Sequence, residues 1–170
     1  MTSTFIVNFV GKATPATIKE LAAITHENGG KWLISKVNFI EDQVAAVIKV
    51  ELPTSNEQVV KQAFQSHPDL LVQIVDSGSQ AHREDTIYHL RLDSNDRAGI
   101  VNDITHILDN QGAHILDMDC QRVFIAGGGG VSSSLFTANV AIRLPAEVQI
   151  EDVANELESL SEDIKVMVES

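Results

Sequence analysis

Val44-Ala45-Ala46-Val47-Ile48-Lys49-Val50-Glu51-Leu52-Pro53 keeps every second residue apolar and closes on Leu-Pro. The pattern returns as Phe136-Thr137-Ala138-Asn139-Val140-Ala141-Ile142-Arg143-Leu144-Pro145, 92 residues on when counted from Leu52 to Leu144. Period-two alternation is the mark of a strand with one buried face. A strand that recurs with its neighbours is the mark of an internal repeat. Asn28-Gly29-Gly30 is matched by Asn110-Gln111-Gly112, an offset of 82 from Gly30 to Gly112. The second copy therefore gains ten residues between the two landmarks, around the Ala-Gly-Gly-Gly-Gly-Val-Ser-Ser-Ser stretch from Ala126 to Ser134.

Working outward, the periodicity changes in the same order in both copies. Phe5, Val7 and Phe9 alternate, as do Tyr88, Leu90 and Leu92, so each copy opens with a strand. Ile18, Leu21 and Ile24 then fall at helical spacing, as do Ile100, Ile104 and Ile107. Thr14-Pro15 marks one helix start, and Asp96 is a candidate cap for the other. Gly29-Gly30 and Gly112 end these helices. Strands follow at Leu33 to Ile40 and Val44 to Leu52, joined by a tight turn at Glu41-Asp42, and at His114 to Ile125 and Leu135 to Leu144. Thr54-Ser55 with Glu57 forms a capping-box pattern before a helix with Val60, Ala63 and Phe64 on its buried face. Val153, Leu157 and Leu160 repeat that face. Last strands run from Leu70 to Val75 and from Ile164 to Val168. The expected fold class is α+β: two tandem ferredoxin-like βαββαβ domains, 4–78 and 86–169, each with its helices on one face of an antiparallel sheet. The polar run from Asp76 to Asp85 reads as their linker.

Composition narrows the function classes. The 170 residues include 24 acids and 12 bases, a net charge of −12, and 44% are hydrophobic. That is globular composition, and the acid excess with no basic run disfavours direct nucleic-acid binding. The longest strongly apolar run, Val44 to Ile48, is far short of the roughly 20 residues of a membrane span. The start, Met1-Thr2-Ser3-Thr4, carries no basic export signal, and Cys120 is the single cysteine. A cytoplasmic setting with no membrane contact is the expectation.

The sheet face away from the helices decides what each domain touches. In the first copy its opening strand offers Ile6, Asn8 and Val10, a largely apolar set expected to be packed on something. Assembly of the copies within the chain and a homodimer are the corresponding expectations. In the second copy the set is polar: His89 and Arg91, then Asp117, Asp119 and Gln121, then Thr137, Asn139 and Arg143. It reads as a solvated face with ion pairs or as a polar partner interface.

Asp93-Ser94-Asn95-Asp96-Arg97-Ala98-Gly99 leads into the first helix of the second copy. Free backbone N–H groups at a helix start favour an anion, and Gly99 lets a carboxylate approach the backbone. Asn95 and Asp96 can accept hydrogen bonds from an ammonium group. A carboxylate site beside an ammonium site describes an amino acid. The plainer reading is a turn in which Asp96 caps the helix.

Ser94-Asn95-Asp96-Arg97-Ala98-Gly99-Ile100-Val101 resembles the G-x-D-R-P-G-I-V turn of ACT domains, βαββαβ modules that bind amino acids. Asp96, Arg97, Gly99, Ile100 and Val101 match, while Ser94 and Ala98 depart. In Gly11-Lys12-Ala13-Thr14-Pro15-Ala16 only Gly11 and Pro15 match. Two such units filling the chain, with a longer second hairpin, are similar to the tandem-ACT repressors of the bacterial glycine cleavage system. The resemblance implies a non-enzymatic regulator that needs no cofactor. It would sense a small amino acid, glycine or a related one, and act through a DNA-binding activator protein. It places ligand contacts at Asn95, Asp96, Arg97, Gly99 and Ile100.

Other classes find less support. Acylphosphatase-like chemistry wants an Arg in such a loop, and Arg97 is there, but no second feature joins it. An RNA-binding sheet wants aromatics on its central strands, where Ala45, Val47, Thr137 and Asn139 stand. A ligand-free interaction scaffold stays open. The glycine run at 127–130 precedes Val131-Ser132, not the Lys-Ser or Lys-Thr of a phosphate loop, and reads as a hairpin tip or a partner-binding loop. His26, His67, His82, His89, His106 and His114 form no metal-ligand spacing. Cys120 alternates with Leu116 and Met118 as a core position, and Trp32 reads as packed.

Overall fold

The computed structural model describes residues 1–77, 86–126 and 132–169. The chain divides into two compact units, Met1–Ala81 and His82–Ser170. The glycine run and the expected linker beyond Asp76 and Ser77 lie outside the described residues. No helix among the described residues is long and apolar enough to cross a membrane.

The first unit runs β1 (Thr2–Lys12), α1 (Pro15–Glu27), β2 (Lys31–Ile40), β3 (Gln43–Pro53), α2 (Glu57–Gln65) and β4 (Leu70–Asp76). Its antiparallel sheet has the order β2-β3-β1-β4. Phe5, Val7 and Phe9 on β1 and Val44, Ala46, Ile48, Val50 and Leu52 on β3 turn one face inward, where Leu21, Val60 and Phe64 cover it. The Phe9 and Phe64 rings sit 6.1 Å apart, an aromatic pair worth about 0.5–1.5 kcal/mol beyond its buried area. Thr25 is the polar residue in this core. Its hydroxyl donates to Leu21 O at 2.9 Å and accepts from Trp32 Nε1 at 3.2 Å, so Trp32 is packed, as expected.

The second unit repeats the order as β5 (Thr86–Asn95), α3 (Ile100–Asn110), β6 (His114–Ala126), β7 (Ser132–Leu144), α4 (Ile150–Glu158) and β8 (Lys165–Glu169). Its sheet order is β6-β7-β5-β8. Leu90 and Leu92, with Phe136, Ala138, Val140, Ile142 and Leu144, meet Ile104, Leu108, Val153 and Leu157. Cys120 is partly buried against this cluster.

The repeat alignment shifts by one residue from the expected landmark. Gly29, not Gly30, corresponds to Gly112. Both have positive φ, 76° and 73°, in the left-handed conformation that ends a helix. Each also lies under the proline that closes the third strand of its unit, Pro53 or Pro145. Each unit then carries a bulge one turn of sequence later, at Leu33 between Trp32 and Ile34 and at Leu116 between Ile115 and Asp117. The offset is therefore 83 through the bulge, and the second hairpin is nine residues longer, not ten.

Two expected caps are also corrected. Thr54-Ser55-Asn56 forms a short 3-10 turn, and α2 begins at Glu57, so no capping box forms there. Thr54 Oγ1 instead accepts a 2.8 Å bond from Ser3. Asp96 does not cap α3; Gly99 holds that position. The loop before α3 is shorter than expected, because β5 extends through Asn95, paired with Leu135 on the long β7.

Candidate functional site

The turn from Asn95 to Ile100 is held from three sides. Asn95 N–H donates to Asp163 Oδ2 at 2.6 Å. Asp96 is tied to the β6–β7 hairpin: its N–H donates to Ser134 O at 3.0 Å, and its carboxylate accepts from Arg122 Nε at 2.8 Å and Ser134 Oγ at 3.0 Å. The bond from Arg122 leads in holding the Asp96 carboxyl below its usual range; the bond from Ser134 adds to it, and partial burial opposes. Arg122 also lies over the Phe136 ring, 5.9 Å from its centre. Arg97 reaches forward, donating to Asp103 Oδ2 at 2.7 Å and to Ala98 O at 3.3 Å.

Gly99 stands directly before α3 at φ 81°. A Cβ there would meet nothing within 4 Å. Glycine is therefore favoured by the backbone conformation alone, and the space before the helix start is open. The Asp103 N–H returns to Gly99 O at 3.0 Å, closing the first helical turn. The N–H groups before it are the free donors that any helix start presents.

The expected site residues thus gather in one turn with distinct roles. Gly99 leaves the approach open. Ile100 is buried in the core, so only its backbone can face a ligand. Asp96 spends two acceptor positions on Arg122 and Ser134; a carboxylate offers about four. Asn95 lies exposed at the end of β5, and Arg97 is engaged with Asp103.

The corresponding turn of the first unit is built otherwise. Gly11 lies where a Cβ would fall 2.1 Å from Asp69 O, so its glycine serves close backbone approach. Ala13 is buried, Thr14 is the extended residue before α1, and Pro15 removes an N–H from the first turn. This helix start is the poorer anion site.

On the open face of the second sheet a cleft of about 170 Å3 is lined by His89, Asp117, Asp119, Asn139 and Glu169. Register brings them together: Ala141 pairs with His89 and Asp117, and His89 with Glu169. The ion pair on this face runs along β5, with Arg91 Nε 3.2 Å from Asp93, and the contact across to β7 is a neutral one, Thr137 donating to Asp93 at 2.7 Å. Among the described residues no group of three or more His, Cys, Asp or Glu is placed to hold a metal ion.

Known structures share this architecture. An unknown protein from Galdieria sulphuraria superposes with a TM-score of 0.81 at 17% identity, over 99% of this chain and 98% of that one. A "putative glycine cleavage system transcriptional repressor" superposes with a TM-score of 0.64 at 13% identity, over 99% and 97%. The fold is ACT-like, twice over. No protein-family model and no curated protein matches the sequence.

Sequence reasoning did not find Arg122, Ser134, Asp103 and Asp163 as partners of the turn. Arg122 left one trace, as the sole Lys or Arg of β6. Asp103 left another, as an acid in the first turn of α3.

Proposed function

We propose that the chain is a non-enzymatic regulatory amino-acid sensor that binds glycine or a related small amino acid at the Asn95–Ile100 turn. The observation that carries this reading is the open ground before Gly99 at the start of a helix whose preceding turn is pinned by Asp96. The ligand carboxylate would take the free N–H groups at Gly99 and Ile100. Its ammonium would take the acceptor positions left on Asp96 and the side chain of Asn95. Arg97 positions the turn through Asp103.

In this reading the protein is a homodimeric cytoplasmic repressor of the glycine cleavage system. It reaches promoters through a DNA-binding activator protein and makes no nucleic-acid contact of its own. The repressor-like neighbour and the −12 charge support it. Titration calorimetry against a panel of amino acids tests it. Saturable one-site binding of glycine or a close analogue is expected, with a matching rise in thermal stability. No heat and no shift with any member of the panel removes the sensor and leaves a ligand-free scaffold.

A further inference from the structure

Met1–Ala81 contains lysines at 12, 19, 31, 36, 49 and 61, no arginine, and eight acids. These charges are unevenly shared between the faces of the first sheet. Lys12, Lys31, Lys36 and Lys49 all occupy open-face positions, in register with Gln43, Glu51, Val47 and Ile6. Glu51 is the only acid at a strand position of that face among the described residues, and Lys31 meets it at 3.6 Å, while Lys12 meets Asp42 of the β2–β3 turn at 3.5 Å. The other acids of the unit lie on helices, turns or the covered face. In a chain of net charge −12, this one face is basic.

Apolar side chains stand between the lysines, with Lys49 between Ile34 and Ile6 and Lys36 beside Val47. Ile6, Val10, Ile34, Val47, Leu71 and Val75 occupy neighbouring positions, with Leu71 77% and Val47 51% exposed. A concavity of about 510 Å3 is lined by Val10, Val47, Leu71 and Lys36 among others. Exposed apolar side chains interspersed with charges of one sign suit a protein partner of the opposite charge.

We infer that this face docks an acidic amphipathic segment of another protein. Its apolar side chains would seat on Val10, Val47 and Leu71, and its carboxylates would meet Lys36 and Lys49. Charge complementarity selects this occupant. A second copy docked through the same face would set lysine against lysine around a two-fold axis. Single-stranded nucleic acid would want aromatic platforms, and Val10, Val47 and Leu71 are aliphatic. The surface belongs to the first unit and the turn to the second. It holds whether or not an amino acid binds there, so this test and the calorimetry fail independently.

The test is fluorescence anisotropy on the full chain with labelled helical peptides of about 18 residues, one built from Leu and Glu, one from Leu and Lys. The acidic peptide should bind saturably and the basic one should not. Lys36→Glu with Lys49→Glu, and separately Leu71→Glu, should each weaken binding about tenfold or more. Lys36→Gln with Lys49→Gln, which only removes charge, should weaken it less. Lys19→Glu, on α1, should leave it unchanged. Thermal melts confirm that each variant is folded. Equal binding of both peptides, or wild-type affinity in the folded face variants, overturns the inference. So does sedimentation showing a wild-type dimer that Leu71→Glu dissociates, which makes the occupant a second copy. A duplex-DNA shift abolished by the lysine reversals overturns it in favour of nucleic acid.

Discussion

Arg122 Nε donates to Asp96 Oδ1 at 2.8 Å, joining the turn before α3 to a hairpin strand 26 residues further along the chain. Asp96 therefore anchors the turn to the sheet rather than capping the helix. With Ser134 on its other oxygen, the carboxylate is fixed in place while part of its acceptor capacity stays open.

That bond makes a pH prediction. The folded-state pKa of Asp96 is lowered, chiefly by the bond from Arg122. A lowered pKa contributes stability above the unfolded value of 3.8, and that contribution is lost as pH falls through the folded value. Asp96→Asn should thus melt below wild type at neutral pH, and the gap should close under acid conditions. Melting curves from pH 7 down to about pH 2 check this. A gap that stays constant over that range rules out the ionised pair as its source.

The two turn glycines should differ in what they tolerate. Gly99→Ala meets no atoms, so its cost is the left-handed conformation alone, about 1–2 kcal/mol. Gly99→Asn should cost less, because Asn enters that region readily. Gly11→Ala places a methyl against Asp69 O and forces β1 away from the segment before β4. It should cost more than Gly99→Ala, by about 1–3 kcal/mol of overpacking. Urea denaturation of the three variants gives the order, and Gly11→Ala as the mildest would contradict it.

Element order was legible because the periodicity of Phe5 to Phe9, Ile100 to Ile107 and Val44 to Leu52 is set by burial on one face. What stayed hidden needed information that alternation does not carry. Gly29 and Gly30 are identical as letters; only the left-handed φ of Gly29 makes it the partner of Gly112. The bulge at Leu116 shifts the register between Ile115 and Asp117, so the pairing that sets Arg122 opposite Phe136 could not be counted from the strand ends. The turn itself was legible through Gly99, whose role is local. Its supports at Arg122, Ser134 and Asp163 come from far along the chain, and the contacts depend on tertiary placement.

Cys120 should be a sluggish thiol. Burial leads in raising its pKa above 9.0, and the neighbouring Asp119 charge adds to it. The thiolate is the reactive form, so little is present at pH 8. A disulfide reagent should label the native protein far more slowly than the urea-unfolded chain. Equal rates in both states would show the thiol to be open and its burial ineffective.

The last prediction separates the two turns by ligand affinity. Gly99→Val adds a branched side chain to the open ground before α3, where a ligand carboxylate must approach. Asp96→Ala removes the acceptor for its ammonium and also releases Arg122 and Ser134. Losing a charged hydrogen-bond partner should weaken binding roughly ten- to a hundredfold. Ala13→Gly and Ala16→Val alter the first unit's turn, where Pro15 already removes a donor, and should leave affinity unchanged. Because Asp96→Ala loosens the turn as well, Arg122→Gln is the needed companion. It removes the anchor but keeps the carboxylate, and should lose less affinity than Asp96→Ala. Calorimetry on variants shown to be folded by circular dichroism gives the ranking. If Gly99→Val and Asp96→Ala both bind as wild type does, the amino acid is held somewhere other than this turn.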